Sequence, residues 1–310
     1  MATKIAMFKQ LFRNKNTKWV LLILFISGLA VTDYLLHGYY NTEGYRGELL
    51  QDGEKSGYGV ACFGGSTTFG FWVEADEAWP AQLEKSLQQK AAYRVFNLGA
   101  NNQGIYGISY DIKSYEYLDY DMAILYNGET DRDPRRLSDF NFRGDDIIFE
   151  CFGYKPMLGF YIREAIRRVT PVPEEATQPV FKNGIEKDSL QSNVSTYYQV
   201  FDNEAKKMIA KGEIPYQLYI AQLDEVLTYL VSKKIRTVVV CQPGAFHSVQ
   251  QQKVRQLLKA KYDGKVEYVN LSELFPDISK VSFDGMHLTK EGNGIVARAL
   301  EDSLLPRMVF

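Results

Sequence analysis

The chain has 310 residues, 45% of them hydrophobic and 14% aromatic, enough to bury one large core or a core with an insertion. A formal net charge of −2 gives no basic face for nucleic acid, and none is expected as a partner. Three cysteines cannot build a disulfide framework, and no Cys-x-x-Cys or paired-histidine spacing suggests zinc.

Residues 1–18 carry Lys4, Lys9, Arg13, Lys15 and Lys18 without an acid, and Trp19 to Leu36 is apolar apart from Ser27, Thr32 and Asp33. At about 1.5 Å per helical residue this run spans roughly the hydrocarbon core of a bilayer. The pattern predicts a cytoplasmic segment over 1–18 and a transmembrane signal-anchor over 19–40, with the remainder outside a bacterial-type plasma membrane. Trp19, Tyr34, Tyr39 and Tyr40 lie where aromatic belts form. A cleaved signal peptide ending at Gly28-Leu29-Ala30, giving a secreted protein, is the competing reading. The apolar run continues past Ala30, which favours the uncleaved anchor, and the purely basic flank speaks against a buried soluble helix. The Gly-rich, charged stretch 41–57 reads as a stalk.

Next comes Gly59-Val-Ala-Cys-Phe-Gly-Gly-Ser66-Thr-Thr-Phe-Gly70, an apolar run followed by a glycine turn. Val60 to Phe63 lack alternation, as expected of a central parallel strand covered on both faces. Gly64 and Gly65 are expected to supply backbone angles that lift Ser66 above the sheet, making it the candidate nucleophile. The same shape fits an anion-binding loop, but no lysine follows the glycines as a P-loop requires. An ordinary Gly-Ser loop fits as well, and these residues alone do not decide.

A helix is predicted over 74–91, with Trp79, Leu83 and Leu87 on one face. Phe71 and Trp72 either line the mouth of a site or pack beneath the loop. The strand over 94–98 delivers Asn97 and Gly99 to the edge reached by Ser66, where parallel sheets bind ligands. Gly99 is accordingly assigned to an oxyanion hole, with the Ser66 amide as second donor; the alternative is that it only permits a turn. A helix over 106–118 and a strand over 122–126 follow, running into Asn127-Gly128-Glu129-Thr130-Asp131.

Residues 132–197 are irregular and punctuated by Pro134, Pro156, Pro171, Pro173 and Pro179, which reads as an insertion or lid. Arg132, Arg135 and Arg136 would greet an anionic substrate such as a uronate-bearing glycan or a lipid phosphate. The bland alternative is a solvated loop neutralised by Asp131, Asp133 and Asp139. Tyr219 to Val231 has helical spacing and leads into a strand over 236–241. His247 follows that strand without a nearby carboxylate partner. A helix over 254–262 and a strand over 266–271 complete the alternation, and Cys62 and Cys241 fall at strand positions as small core residues. Asp284-Gly-Met-His287 then precedes a closing helix from near Thr289 to about Leu305. A serine hydroxyl needs a base, and the base needs an acceptor that fixes its tautomer, so His287 and Asp284 complete Ser66.

Gly64-Gly65-Ser66, Gly99 within Asn97-Leu98-Gly99-Ala100-Asn101, the block Gly128 to Asp131, and Asp284-x-x-His287 together resemble the ordered blocks of the SGNH (GDSL-like) hydrolases. The similarity spans roughly residues 58–303 and looks closest to the membrane-anchored, envelope-associated branch. It implies a three-layer, flavodoxin-like α/β domain over 58–310 and an acyl-enzyme chemistry on Ser66, His287 and Asp284, with no metal or organic cofactor. The implied activity is hydrolysis of O-acyl, above all O-acetyl, esters of envelope carbohydrate, with lipid esters second. The alternatives are an O-acyltransferase using the same triad or a non-catalytic glycan-binding or assembly protein. Two blocks depart from the pattern. Gly65 replaces an aspartate outside the triad, and Thr130 stands where the oxyanion asparagine is expected, leaving Thr130 or Asn127 as third donor.

Overall fold

The computed structural model describes residues 15–38, 40–49, 57–101, 103–127, 147–154, 156–159, 216–241, 248–275 and 277–304, with isolated positions at 162, 207, 210 and 211. The chain divides into two compact units, Met1–Gly44 with Asp146–Gln178, and Tyr45–Asp145 with Pro179–Phe310.

The first unit contains helix α1, Lys15–Leu36, which is long and apolar enough over Asn16–Leu36 to cross a membrane. A signal sequence would satisfy the same length and composition. Asp33, the acid within the apolar run, is buried. Its carboxylate accepts hydrogen bonds from the Tyr154 hydroxyl (2.5 Å) and from the amides of Met157 (2.9 Å) and Leu158 (2.5 Å). A charge that would be costly in hydrocarbon is thereby satisfied, and it holds the segment after a short helix, Ile147–Phe152. The described residues from 147 to 159 group with the N-terminal helix in this unit.

The second unit is a five-stranded, wholly parallel sheet of order β2-β1-β3-β4-β5. Its strands are β1 Tyr58–Gly64, β2 Tyr93–Gly99, β3 Met122–Asn127, β4 Arg236–Cys241 and β5 Val266–Asn270. The helices are α2 Ser66–Phe69, α3 Trp79–Gln88, α4 Ile105–Ser114, α5 Gln217–Ser232, α6 Ser248–Lys261 and α7 Lys290–Leu304. Alternate strand residues feed two separate cores. Ala61, Phe63, Leu98, Leu125 and Val239 face the layer of α4, α5 and α6. Val60, Cys62, Ile124 and Val238 face α3 and α7. Both faces of β1 are therefore dry, which explains a sequence with no polar alternation. The arrangement is the doubly wound, three-layer α/β fold expected, and its strand order reverses direction between β1 and β3.

Several expectations change: α6 begins at Ser248, not near 254, and α4 ends at Ser114, not at 118. The helix foreseen over 74–91 is a short 3-10 turn, Ala75–Glu77, followed by α3, because Pro80 can occupy only the first turn of a helix. The supposed stalk also ends early. Tyr45 is 2% exposed, edge-on to Phe96 and Tyr115, and the Arg46 amide donates to the Asn97 carbonyl at 3.1 Å. One aromatic and one arginine thus bring the chain into the core well before β1, where a charged, Gly-rich composition gave no sign of it.

Candidate active site

The site lies beyond the carboxyl ends of β1 and β2, beside the point where the strand order reverses. β1 ends at Gly64 and Ser66 opens α2, so Ser66 occupies the first helical position, where its amide has no intrahelical acceptor. The reason for glycine at position 64 differs from the one expected. Gly65 has φ −84°, and Gly64 is not among the positive-φ residues. What Gly64 supplies is space, since a β-carbon there would lie 2.7 Å from the Tyr126 carbonyl oxygen and 2.9 Å from the Thr68 Cβ. Left-handed backbone occurs instead at Gly70, φ +80°, which caps α2 as its amide donates to the Ser66 carbonyl at 3.0 Å.

His287 arrives on a hairpin-like loop. Ser282 bridges Leu288, the Phe283 amide donates to the His287 carbonyl at 2.8 Å, and Gly285 takes φ +81°. The spacing of three residues between acid and base follows from this turn. Asp284 Oδ1 accepts from the Met286 amide (2.9 Å) and the His287 amide (2.7 Å), folding the loop around its own carboxylate. Asp284 Oδ2 is then 2.6 Å from His287 Nδ1, and His287 Nε2 is 2.9 Å from Ser66 Oγ. Hydroxyl, imidazole and carboxylate form one hydrogen-bonded line from opposite ends of the chain. Burial pushes the Asp284 carboxyl upward, but the ring, amide and charge of His287 and the Met286 amide outweigh it. The net effect is a carboxyl held below its ordinary value.

Gly99, expected to donate to an oxyanion, sits at the end of β2. Its amide donates to Asn97 Oδ1 at 3.1 Å, so that N–H is already engaged. The residue is small because α2 lies against it: a β-carbon would fall 2.7 Å from the Thr68 carbonyl carbon and 2.9 Å from the Phe69 Cα. The following amide, of Ala100, donates to the Gly64 carbonyl at 3.0 Å. Both amides thus have protein acceptors in this structure. Asn127 closes β3 at the same sheet edge, paired with Cys241. The side chain of Asn127 and residues Gly128, Thr130, Asp131, Arg132, Arg135, Arg136 and His247 lie outside the described residues.

Arg46 and Asn293 gave no signal in the sequence. Arg46 is 3% exposed and its guanidinium lies 4.3 Å from the Phe69 ring centroid. Nη1 donates to the carbonyls of Phe69 and Gly70 (the latter at 2.6 Å), and Nη2 donates to Val73 at 2.5 Å. Asn97 Nδ2 adds a bond to the same Phe69 carbonyl at 3.3 Å. Together they tie down the turn that carries Ser66. Asn293, buried on α7, does the same for the His287 loop. Its Nδ2 donates to the Leu288 (3.0 Å) and Thr289 (2.9 Å) carbonyls, and its Oδ1 accepts from the first amide of α3 at 3.0 Å. Cys62 and Cys241 are buried core thiols whose ionisation burial opposes, leaving them outside the chemistry.

A parallel α/β sheet with a Ser–His–Asp line at its carboxyl edge has the geometry of nucleophilic acyl-transfer catalysis. Among solved structures the chain is similar to a catalytic mutant of an acetylxylan esterase from Geobacillus stearothermophilus (12% identity, TM-score 0.45, covering 80% of this chain and 94% of that one). It is also similar to a psychrotrophic esterase from Pseudoalteromonas sp. (11%, 0.46, 81% and 98%) and to a GDSL-like lipase from Bacteroides thetaiotaomicron (11%, 0.43, 84% and 93%). No protein-family model matches the chain, and no curated protein matches it.

Proposed function

We propose that this chain is a serine ester hydrolase that removes O-acyl groups, chiefly O-acetyl, from envelope carbohydrate through an acyl-enzyme. The observation that carries the reading is the line Asp284–His287–Ser66, at 2.6 and 2.9 Å. In it, Ser66 Oγ bonds to the ester carbonyl carbon while its proton passes to His287 Nε2. The tetrahedral oxyanion then collapses, the bond to the alkoxide breaks, and Nε2 returns the proton to the leaving oxygen. Water repeats the sequence, releasing the carboxylic acid and restoring Ser66. Asp284 stays ionised throughout, holds Nδ1–H and stabilises the imidazolium. The Ser66 amide is the proposed oxyanion donor at the head of α2, with Thr130 or Asn127 completing the hole.

Support for a carbohydrate ester at the envelope comes from a helix able to cross a membrane and from the resemblance of the ordered sequence blocks. The arginines at 132, 135 and 136 are proposed contacts for an anionic glycan. A fluorophosphonate probe should label the full-length protein covalently, and Ser66→Ala and His287→Ala should each abolish labelling. Acetate release from an O-acetylated polysaccharide should fall at least ~10³-fold in the same variants. Failure of the parent protein to take up the probe would remove the nucleophile assignment. An acetylated acceptor sugar in place of free acetate would identify a sugar hydroxyl, not water, as the group that resolves the acyl-enzyme.

A further inference from the structure

Two aromatic rings, Phe71 and Trp72, pack against the His287 imidazole, and a third, Phe283, packs against Trp72. Phe71 has its ring centroid 4.9 Å from that of His287, and Trp72 lies at 5.5 Å. Phe283 stands perpendicular to Trp72 at 5.7 Å and 88°, making an open corner. Trp72 and Phe283 are 59% and 52% exposed, unusual for two large rings in mutual contact beside a buried-strand site. Trp72 also holds φ +71°, a left-handed backbone that a β-carbon disfavours. Burial does not explain why this position keeps an indole where glycine would sit without strain. Such outliers at a site point to function.

The chemistry says which part of an ester these rings meet. His287 Nε2 must hand its proton to the leaving oxygen, so the alcohol portion of the ester lies against the imidazole. The rings that touch the imidazole therefore line the alcohol side, not the acyl side. An acyl chain or lipid alcohol laid over so open a corner would stay half in water. A pyranose suits it better: its C–H face meets the electron-rich face of an aromatic ring, and its hydroxyl rim remains solvated. We infer that Trp72 and Phe283 form a stacking platform for the pyranose ring bearing the ester, and that this platform selects sugar esters over simple ones. The inference rests on the esterase reading for its placement of the alcohol, but its binding test does not.

The decisive measurement is binding, made without turnover. Full-length Ser66→Ala in nanodiscs is titrated with a panel of unmodified gluco-, manno- and xylo-oligosaccharides, with and without Trp72→Gly. Glycine accepts φ +71°, so Trp72→Gly keeps the loop and its thermal midpoint should not fall. The expected result is that at least one oligosaccharide binds, that Trp72→Gly weakens its Kd at least tenfold, and that Trp72→Phe restores most of the loss. In the protein with Ser66 intact, the kcat/KM ratio for the O-acetylated oligosaccharide over ethyl acetate should fall at least tenfold in Trp72→Gly. Binding of no sugar in the panel, an unchanged Kd in Trp72→Gly, or an unchanged ratio would each overturn the platform. Fluorophosphonate labelling reports on the nucleophile alone, so the two readings fail separately.

Discussion

At the scale of single residues, the site depends on side chains whose work is electrostatic and on others whose work is support. Asp284→Asn keeps the shape of the loop but removes the charge that fixes the His287 tautomer, and kcat should drop by roughly 10³–10⁴-fold. The same substitution should alter acid stability in a definite direction. The Asp284 carboxyl is held below its ordinary value, so its contribution is complete above the unfolded-state value near ~3.9 and is lost as pH falls through the lowered folded value. Urea denaturation of the parent between pH 6 and pH 3 should show that loss, and Asp284→Asn should flatten it. Arg46→Met retains an apolar stem over Phe69 but strips donors from three carbonyls of the nucleophile turn. The Phe69 and Gly70 carbonyls keep bonds from Asn97 Nδ2 and the Val73 amide, so the cost falls mainly on the Val73 carbonyl, and a loss of about 1–3 kcal/mol is expected in denaturant titration, with kcat falling as Ser66 loosens. Unchanged stability would mean that water replaces the guanidinium.

At the scale of elements, the active site is a meeting of two turns on one sheet edge, each braced by a neighbour. α2 can sit on β2 only because Gly99 has no side chain. Gly99→Ala would drive a β-carbon into the backbone of Thr68 and Phe69, atoms that no rotamer change can move. A destabilisation of about 2 kcal/mol or more is expected, with activity lost through displacement of Ser66. If Gly99 instead served only as an oxyanion donor, its alanine variant would keep full stability. Asn293 couples the start of α3 to the end of the His287 loop, so Asn293→Leu should lower the thermal midpoint and kcat together. The helical and strand periodicities placed most of these elements within a residue or two, because strands buried on both faces and amphipathic helices leave strong hydrophobic patterns. Pro80 alone explains why the helix foreseen from 74 begins at Trp79.

For the whole molecule, the basic flank and apolar helix α1 predict attachment to a membrane. The full chain should resist alkaline extraction from a membrane fraction, and lysines at Leu22, Leu24 and Phe25 should release it. An intact mass lacking the first thirty or so residues would favour the cleaved-signal reading instead. Asp33, held by Tyr154, Met157 and Leu158, shows why that helix tolerates a carboxylate near its end.

Local chemistry was enough to read the alternation of strands and helices, the candidate nucleophile, and the Asp284/His287 pair. Each of these is encoded within a short window: an apolar run, a glycine turn, or a carboxylate three residues before an imidazole. Contacts between distant segments carried no such mark. That Gly99 serves packing, that its amide is engaged by Asn97, that Arg46 grips the turn of Ser66, and that Trp72 and Phe283 meet at His287 depend on which surfaces the sheet brings face to face. Hydrogen-bond partners far apart in sequence are chosen by tertiary geometry, and only the folded chain decides them.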